Sequence, residues 1–356
     1  MEQPVLVTQR GGVGHLLLNR PKAINALNDE MVAIMADALR AWRDDEAIKA
    51  VVLSGAGERG LCAGGDIVSI HRDATALLEA GVGDVEAAAC PSAVFWREEY
   101  QLNSEIAKYS KPYVALMDGI VMGGGVGVSA HANTRIVTDR TRLAMPETGI
   151  GFVPDVGGTH LLAHIVDNFG IYLGLTSASI NGADAIALGL ADHYVLGADL
   201  EAFVAAIADT SLDEALATYA QTPPESELYA QRDWLREAFA ADTVAEIIAR
   251  CEAVGNEAAT KAAAAMAGKS PTTLSVTLRA LREPLDTLDE TLHREYRVSL
   301  RCIRNHDMAE GIRAQVIDKD RNPTWEPATL DAVNTSDVDG FFAPLADGLE
   351  LVITNP

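Results

Sequence analysis

The sequence predicts an α/β protein with a helical C-terminal region. Three observations carry the prediction. Up to about residue 198, short apolar runs of strand character alternate with helical periodicity as repeated strand-strand-helix units. From 199 onward the strand signal disappears and Ala-rich helices follow. The chain has 356 residues, 48% of them hydrophobic, which suffices for a real core and about two domains. We therefore expect a core region at 1–198 and a helical region at 199–356.

Taken in order, VLVTQR and HLLLN read as two short strands joined at Gly11-Gly12. A helix should begin near Asn28, a good N-cap residue, with Asp29 and Glu30 in its first turn. Its apolar stripe is Met31, Ile34, Met35, Ala38, Leu39 and Trp42, at helical spacing. AVVLSG reads as a buried strand, and SAVFWREEYQLNSEIAKY as a helix. PYVALMDGIVM reads as one strand running into a short glycine-led helix in GGGVGVSAHA. RIVTD and RLAMPE are further strands, and VGGTHLLAHIVD is another helix. SLDEALATYA and DTVAEIIARCEAV are helices separated by a linker around QTPPESE. A last helical part runs from Ser270 to Asn305.

Net charge narrows the partners. With 28 Lys+Arg against 51 Asp+Glu the chain carries −23, which argues against nucleic acid and anionic membranes, since both need a positive footprint. The four cysteines (Cys62, Cys90, Cys251, Cys302) lie far apart, as expected of reduced thiols in a cytoplasmic protein. MEQPVLVTQR has no signal-peptide character, and YVALMDGIVMGGGVGVSA is too short and broken to span a membrane.

Three places could carry chemistry. The glycine clusters LCAGGDI and DGIVMGGGVG suit a close backbone approach to a ligand and could hold an oxyanion with free N–H groups. Tight helix-strand packing is the plain alternative for either cluster alone. In MPETGIGFVPDVGG, Glu147 and Asp155 stand eight positions apart on rigid loop, where desolvation can raise a carboxyl pKa for acid-base work. Asp155 could also cap the helix that begins at Val156. On the 92–109 helix, Phe95, Leu102 and Ile106 define the buried stripe, which puts Glu99 on the inward face and Glu98 nearer its edge. A carboxylate there needs a purpose or an ion pair, with Lys108 or an arginine as the candidate partner. His160 and His164 have metal-ligand spacing but no third ligand, so no metal is expected. Cys62 reads as a small hydrophobe, not a nucleophile.

Together, LNRPKAINALN, LCAGGDI, KPYVALMDGIVMGGGVG, AMPETGIGFVPDVGG and NGADAIALGLADHYV resemble the enoyl-CoA hydratase/isomerase (crotonase) superfamily. More narrowly, FWREEYQLN, SPTTLSVTLRAL and the stretch from Glu295 to Pro327 are similar to its 3-hydroxyisobutyryl-CoA hydrolase branch. The resemblance implies a spiral of ββα turns and hydrolysis of a short hydroxyacyl-CoA thioester in valine catabolism. It implies that the N–H groups of Gly65 and Gly124 hold the thioester oxygen, and that Glu99, Gly124, Glu147 and Asp155 bind substrate. Glu147 and Asp155 would stand closest to the reaction. No cofactor is implied, because CoA is part of the substrate, and a homo-oligomer is allowed. Hydratases of the superfamily place a glutamate where this chain has Gly127, a departure that disfavours hydration; hydration or isomerisation remains the alternative activity, because fold alone does not fix chemistry. A non-catalytic acyl-CoA-binding scaffold is the alternative of another class.

A CoA ester brings phosphate charges to an acidic protein. Arg294, Arg297, Arg301 and Arg304 follow helical spacing and form a basic stripe. Ion pairing with the acidic body is the expected use of that stripe. The stripe and the Arg20–Lys22 segment are also where phosphate contacts would be sought.

Overall fold

The computed structural model describes residues 3–354. Positions 1–2 and 355–356, the outer ends of the two expected regions, lie outside the described residues. Among the described residues eight strands form two sheets. They are β1 Val5–Arg10, β2 Val13–Leu18, β3 Ala50–Gly55, β4 Tyr113–Met117, β5 Ile120–Met122, β6 Thr134–Val137, β7 Arg142–Ala144 and β8 His193–Tyr194. The larger sheet has the order β1-β2-β3-β4-β6-β8, antiparallel only between β1 and β2. The smaller is the parallel pair β5-β7, which Cys62 extends by a bridge to Val121.

This pairing is a spiral. Each turn lays one strand in the large sheet (β3, β4, β6) and the next stretch of chain in the small one (Cys62, β5, β7). Helices then return the chain to the next turn. The implied spiral of ββα units is therefore the observed architecture, with a helical C-terminal part after β8.

Period-two alternation explains why the strands read as continuous apolar runs. Val51 and Leu53 of β3, and Tyr113, Ala115 and Met117 of β4, enter one core. Ala50, Val52, Val114 and Leu116 enter another, covered by Phe203 and Ile207 of the Leu200–Asp209 helix and Ala215 of the Leu212–Tyr219 helix. A parallel sheet buried on both faces needs this pattern, and each large apolar side chain so buried contributes about 1.5–3 kcal/mol. The first core is continuous from Val5 to Leu351.

Most local expectations hold. The first helix is Asp29–Arg43, and the Asn28 side chain accepts from the Met31 N–H. The 91–107 helix begins at Pro91, a residue suited to a first turn because it has no N–H to leave unpaired. Two readings need correction. PYVALMDGIVM is not one strand: it breaks at Asp118-Gly119, and its halves lie in different sheets. Gly119 has φ +62, and a Cβ there would stand 2.7 Å from the Arg59 carbonyl oxygen, so the apolar run conceals a tight crossing. The last helical part likewise splits at Pro284 into Pro271–Arg282 and Leu288–Cys302. The second piece starts with a capping box between Thr287 and Glu290.

Candidate active site

The two glycine clusters meet. Leu27 N–H donates to the Gly64 carbonyl at 2.8 Å and Asp66 N–H to the Leu27 carbonyl at 3.0 Å. That parallel bridge turns the Gly65 N–H away from Leu27. Gly124 opens the short Gly124–Gly127 helix, so its N–H has no intrahelical acceptor. Among the described residues neither amide donates to a backbone carbonyl. A Cβ on Gly124 would stand 3.5 Å from Gly65 N, which makes the two donors neighbours.

Three carboxyls surround them. A cavity of about 180 Å³ is lined by Gly64, Gly65, Gly124, Glu99, Glu147 and Asp155, with Phe95, Trp96 and Phe152 among its apolar walls. Glu99 is 2% exposed on the inward face of its helix, and Glu98 is exposed, as the stripe predicted. Its Oε1 would lie 2.5 Å from a Cβ at Gly124, so glycine there makes room for the carboxyl. Lys108 does not neutralise it; that lysine bonds Asp289 instead. Glu147 begins the Glu147–Ile150 turn of 3-10 helix, and its Oε1 would lie 2.9 Å from a Cβ at Gly123. Asp155 is not a side-chain cap. The following helix begins at Gly158, and Asp155 Oδ2 accepts instead from the Tyr100 hydroxyl at 2.7 Å.

Burial sets the electrostatics. Desolvation raises Glu99 well above its ordinary pKa, and the Asp155 charge adds to it. Burial and then Asp155 raise Glu147, while Lys269 and the Glu147 amide oppose the shift. Asp155 is pushed up to about 8 by burial, against the pull of the Tyr100 hydroxyl. Glu295, buried beside it, is pushed up to about 7 by burial. Burial lowers Lys269 to about 8, and Glu147 opposes that. These acids all hold protons above their unfolded values, so the unfolded chain ionises first as pH rises. Their stabilisation is complete below about pH 4 and declines toward pH 8. Glu99→Gln should therefore raise Tm more at pH 8 than at pH 4.5, measured by calorimetry.

Sequence reasoning missed Tyr100, Lys269 and Glu295. Tyr100 follows Glu99 directly, and Lys269 is a lone cation between an Ala-rich helix and Ser270, so both left a faint signal. Other expectations resolve simply. His164 Nδ1 bonds the His160 carbonyl at 2.7 Å, and no metal-holding group of His, Cys, Asp and Glu occurs among the described residues. Cys62 is buried and its thiol is pushed up to about 12 by burial, as befits a small hydrophobe. The basic stripe is spent internally: Arg294 on the Glu283 and Ala280 carbonyls, Arg297 on Glu350, and Arg301 and Arg304 on Asp84. Arg20 pairs with Asp66. No helix among the described residues is long and apolar enough to cross a membrane.

Residues 13–342 match the family model described as enoyl-CoA hydratase/isomerase. The chain belongs to the enoyl-CoA hydratase/isomerase family. Within that family it is 39% identical over 353 residues to a Danio rerio protein named 3-hydroxyisobutyryl-CoA hydrolase, mitochondrial, with 96% of this chain and 90% of that one covered. The Homo sapiens protein of the same name is 37% identical over 355 residues, with 96% and 89% covered. Among solved structures, a carnitinyl-CoA dehydratase from Mycobacterium thermoresistibile is 49% identical with a TM-score of 0.92, covering all of both chains. An enoyl-CoA hydratase from Rhodobacter sphaeroides 2.4.1 is 40% identical with a TM-score of 0.89, covering 98% and 99%.

For a member of the enoyl-CoA hydratase/isomerase family, Gly127 is the informative departure. A Cβ there would stand 2.7 Å from Val156 Cβ and 2.9 Å from Asn103 Nδ2. The space a second glutamate would need is filled by the side chain that follows Asp155. Gly127→Glu should cost about 3 kcal/mol or more through overpacking and an unpaired buried charge. Urea unfolding would read that loss, and no hydration of an enoyl-CoA should appear.

Proposed function

We propose that the chain hydrolyses the thioester of 3-hydroxyisobutyryl-CoA, or a similar short hydroxyacyl-CoA, to the free acid and CoA. The observation that carries this reading is the convergence of Glu99, Glu147 and Asp155 on paired glycine amides, with Gly127 packed too tightly to admit a hydratase glutamate. The names of the Danio rerio and Homo sapiens relatives support it.

The parts suit the chemistry. The Gly65 and Gly124 N–H groups receive the thioester oxygen, each such donor worth about 3 kcal/mol on the developing oxyanion. Glu147, whose pKa burial and Asp155 raise and Lys269 partly offsets, activates water or attacks the carbonyl carbon in its ionised form. Asp155, with its pKa pushed up to about 8, supplies the proton to the leaving thiolate. Glu99 accepts from the acyl 3-hydroxyl. The reaction so written draws on no cofactor. With the arginine stripe committed elsewhere and Arg20 held by Asp66, Lys22 of the Arg20–Lys22 segment is the cation left for the CoA phosphates. The cytoplasm is the compartment this reading takes for an enzyme with four free cysteines, and fractionation of the source cells tests it.

The similarity to a carnitinyl-CoA dehydratase and an enoyl-CoA hydratase of known structure favours a second reading, hydration of an enoyl-CoA. Free thiol released across a panel of hydroxyacyl-CoAs separates the two. Thiol release from a 3-hydroxyacyl-CoA supports hydrolysis, whereas loss of enoyl absorbance without thiol release overturns it. A single turnover in ¹⁸O-water then distinguishes direct water attack from a Glu147 anhydride, which would place protein oxygen in the product.

A further inference from the structure

Asp155 sits on a turn that needs outside support. Val156 (φ +53) and Gly157 (φ +78) follow one another in the left-handed region, which a β-branched residue enters only where its surroundings impose it. The Leu288–Cys302 helix supplies much of that support. Glu295 Oε2 accepts the Gly157 N–H at 2.6 Å, and its Oε1 accepts the N–H and hydroxyl of Thr159 at 2.9 and 2.5 Å. One helical turn on, Ser299 Oγ lies 3.0 Å from the Tyr100 hydroxyl, which donates to Asp155 Oδ2 at 2.7 Å. His131 Nε2 bonds the Val156 carbonyl at 2.8 Å. One face of one helix thus reaches Asp155 by two routes, through its backbone and through its carboxyl.

A buried carboxylate is a costly way to satisfy three donors. Among groups already acidic, it adds like charge. The groups around Asp155 are Tyr100 and Glu99 from the 91–107 helix, Glu147 with Lys269 behind it, and Glu295 and Cys302 from the 288–302 helix. Arg294 acts on Glu295, and His131 meets the turn at Val156.

We propose that Glu295 and Ser299 are positioning residues for the thioester chemistry, holding the Asp155 carboxyl through the Gly157–Thr159 backbone and through Tyr100. The inference rests on Asp155 serving the hydrolysis proposed above. The two routes act on its ionisation in opposite senses: the Glu295 charge raises it and the Tyr100 hydroxyl lowers it.

The test uses the full chain and the variants Glu295→Gln, Glu295→Ala, Ser299→Ala and Tyr100→Phe. With a 3-hydroxyacyl-CoA, kcat should fall about 10- to 100-fold and KM change less than about threefold, as for a misplaced reacting group. Glu295→Gln keeps a carbonyl acceptor, so it should lose less than Glu295→Ala. Independently of turnover, Asp155 is titrated by NMR of ¹³C-labelled aspartate carboxyls, its signal assigned by its loss in Asp155→Asn. Its midpoint should move down in Glu295→Gln and up in Tyr100→Phe. Unchanged kcat in every variant, or an unmoved midpoint in both, overturns the proposal. Should the wild-type chain release no thiol, the hydrolase reading falls and the titration alone decides the positioning role. Should Glu295→Ala not fold, Glu295→Gln and Tyr100→Phe decide it in the same way.

Discussion

Glu147→Gln should lower kcat for hydroxyacyl-CoA hydrolysis about 10³-fold or more while leaving the Kd for a CoA ester within about threefold. The substitution keeps the shape of a side chain that is 6% exposed and stands 2.9 Å from the Cβ position of Gly123. What it removes is the capacity to take a proton or to form a bond to the carbonyl carbon. Lys269 then has no anionic neighbour in Glu147, so its pKa, already lowered by burial, should fall further. Stopped-flow thiol release and calorimetric binding of a non-hydrolysed CoA thioether check the two halves. A variant that retained its rate would remove Glu147 from the chemistry.

Gly124→Ala should be nearly as damaging, by about 10²–10³ in kcat, for a different reason. Its Cβ would enter within 2.5 Å of Glu99 Oε1 and 3.2 Å of Leu27 Cδ1. Glu99 Oε1 has no hydrogen-bond partner and borders the cavity, so the added methyl either turns that carboxyl aside or shifts the chain at Gly124. The second response moves an N–H away from the oxyanion position. Steady-state kinetics with a 3-hydroxyacyl-CoA and with an acyl-CoA lacking the hydroxyl would separate the two losses. A damaged oxyanion site slows both substrates, whereas a displaced Glu99 costs more on the hydroxylated one.

Much of this site is legible in the sequence because each part leaves a local mark. Glu99 breaks an apolar helical stripe, and three glycines stand together where a strand meets a helix. Glu147 and Asp155 are framed by prolines and glycines, which fix loops. What the sequence hides is whatever depends on distance along the chain. Gly119 is one glycine in an apolar run, and only the neighbouring Arg59–Gly60 backbone makes it a tight crossing between sheets. The arginines at 294, 297, 301 and 304 share a face by spacing, yet their partners lie at Ala280, Glu283, Glu350 and Asp84. Tyr100 looks like core until Asp155 and Ser299 are brought to its hydroxyl.

The bond from Gly157 to Glu295 joins positions 138 residues apart. A ribosome emits the chain in order, so the spiral, the glycine amides and all three cavity carboxyls exist well before residue 295 leaves the exit tunnel. Until then the Asp155 turn lacks the acceptors that close it, and Tyr100 lacks Ser299. A nascent chain would carry every reacting group and still be catalytically incomplete. Hydrolysis as proposed would reach its full rate only once the 288–302 helix has joined the fold.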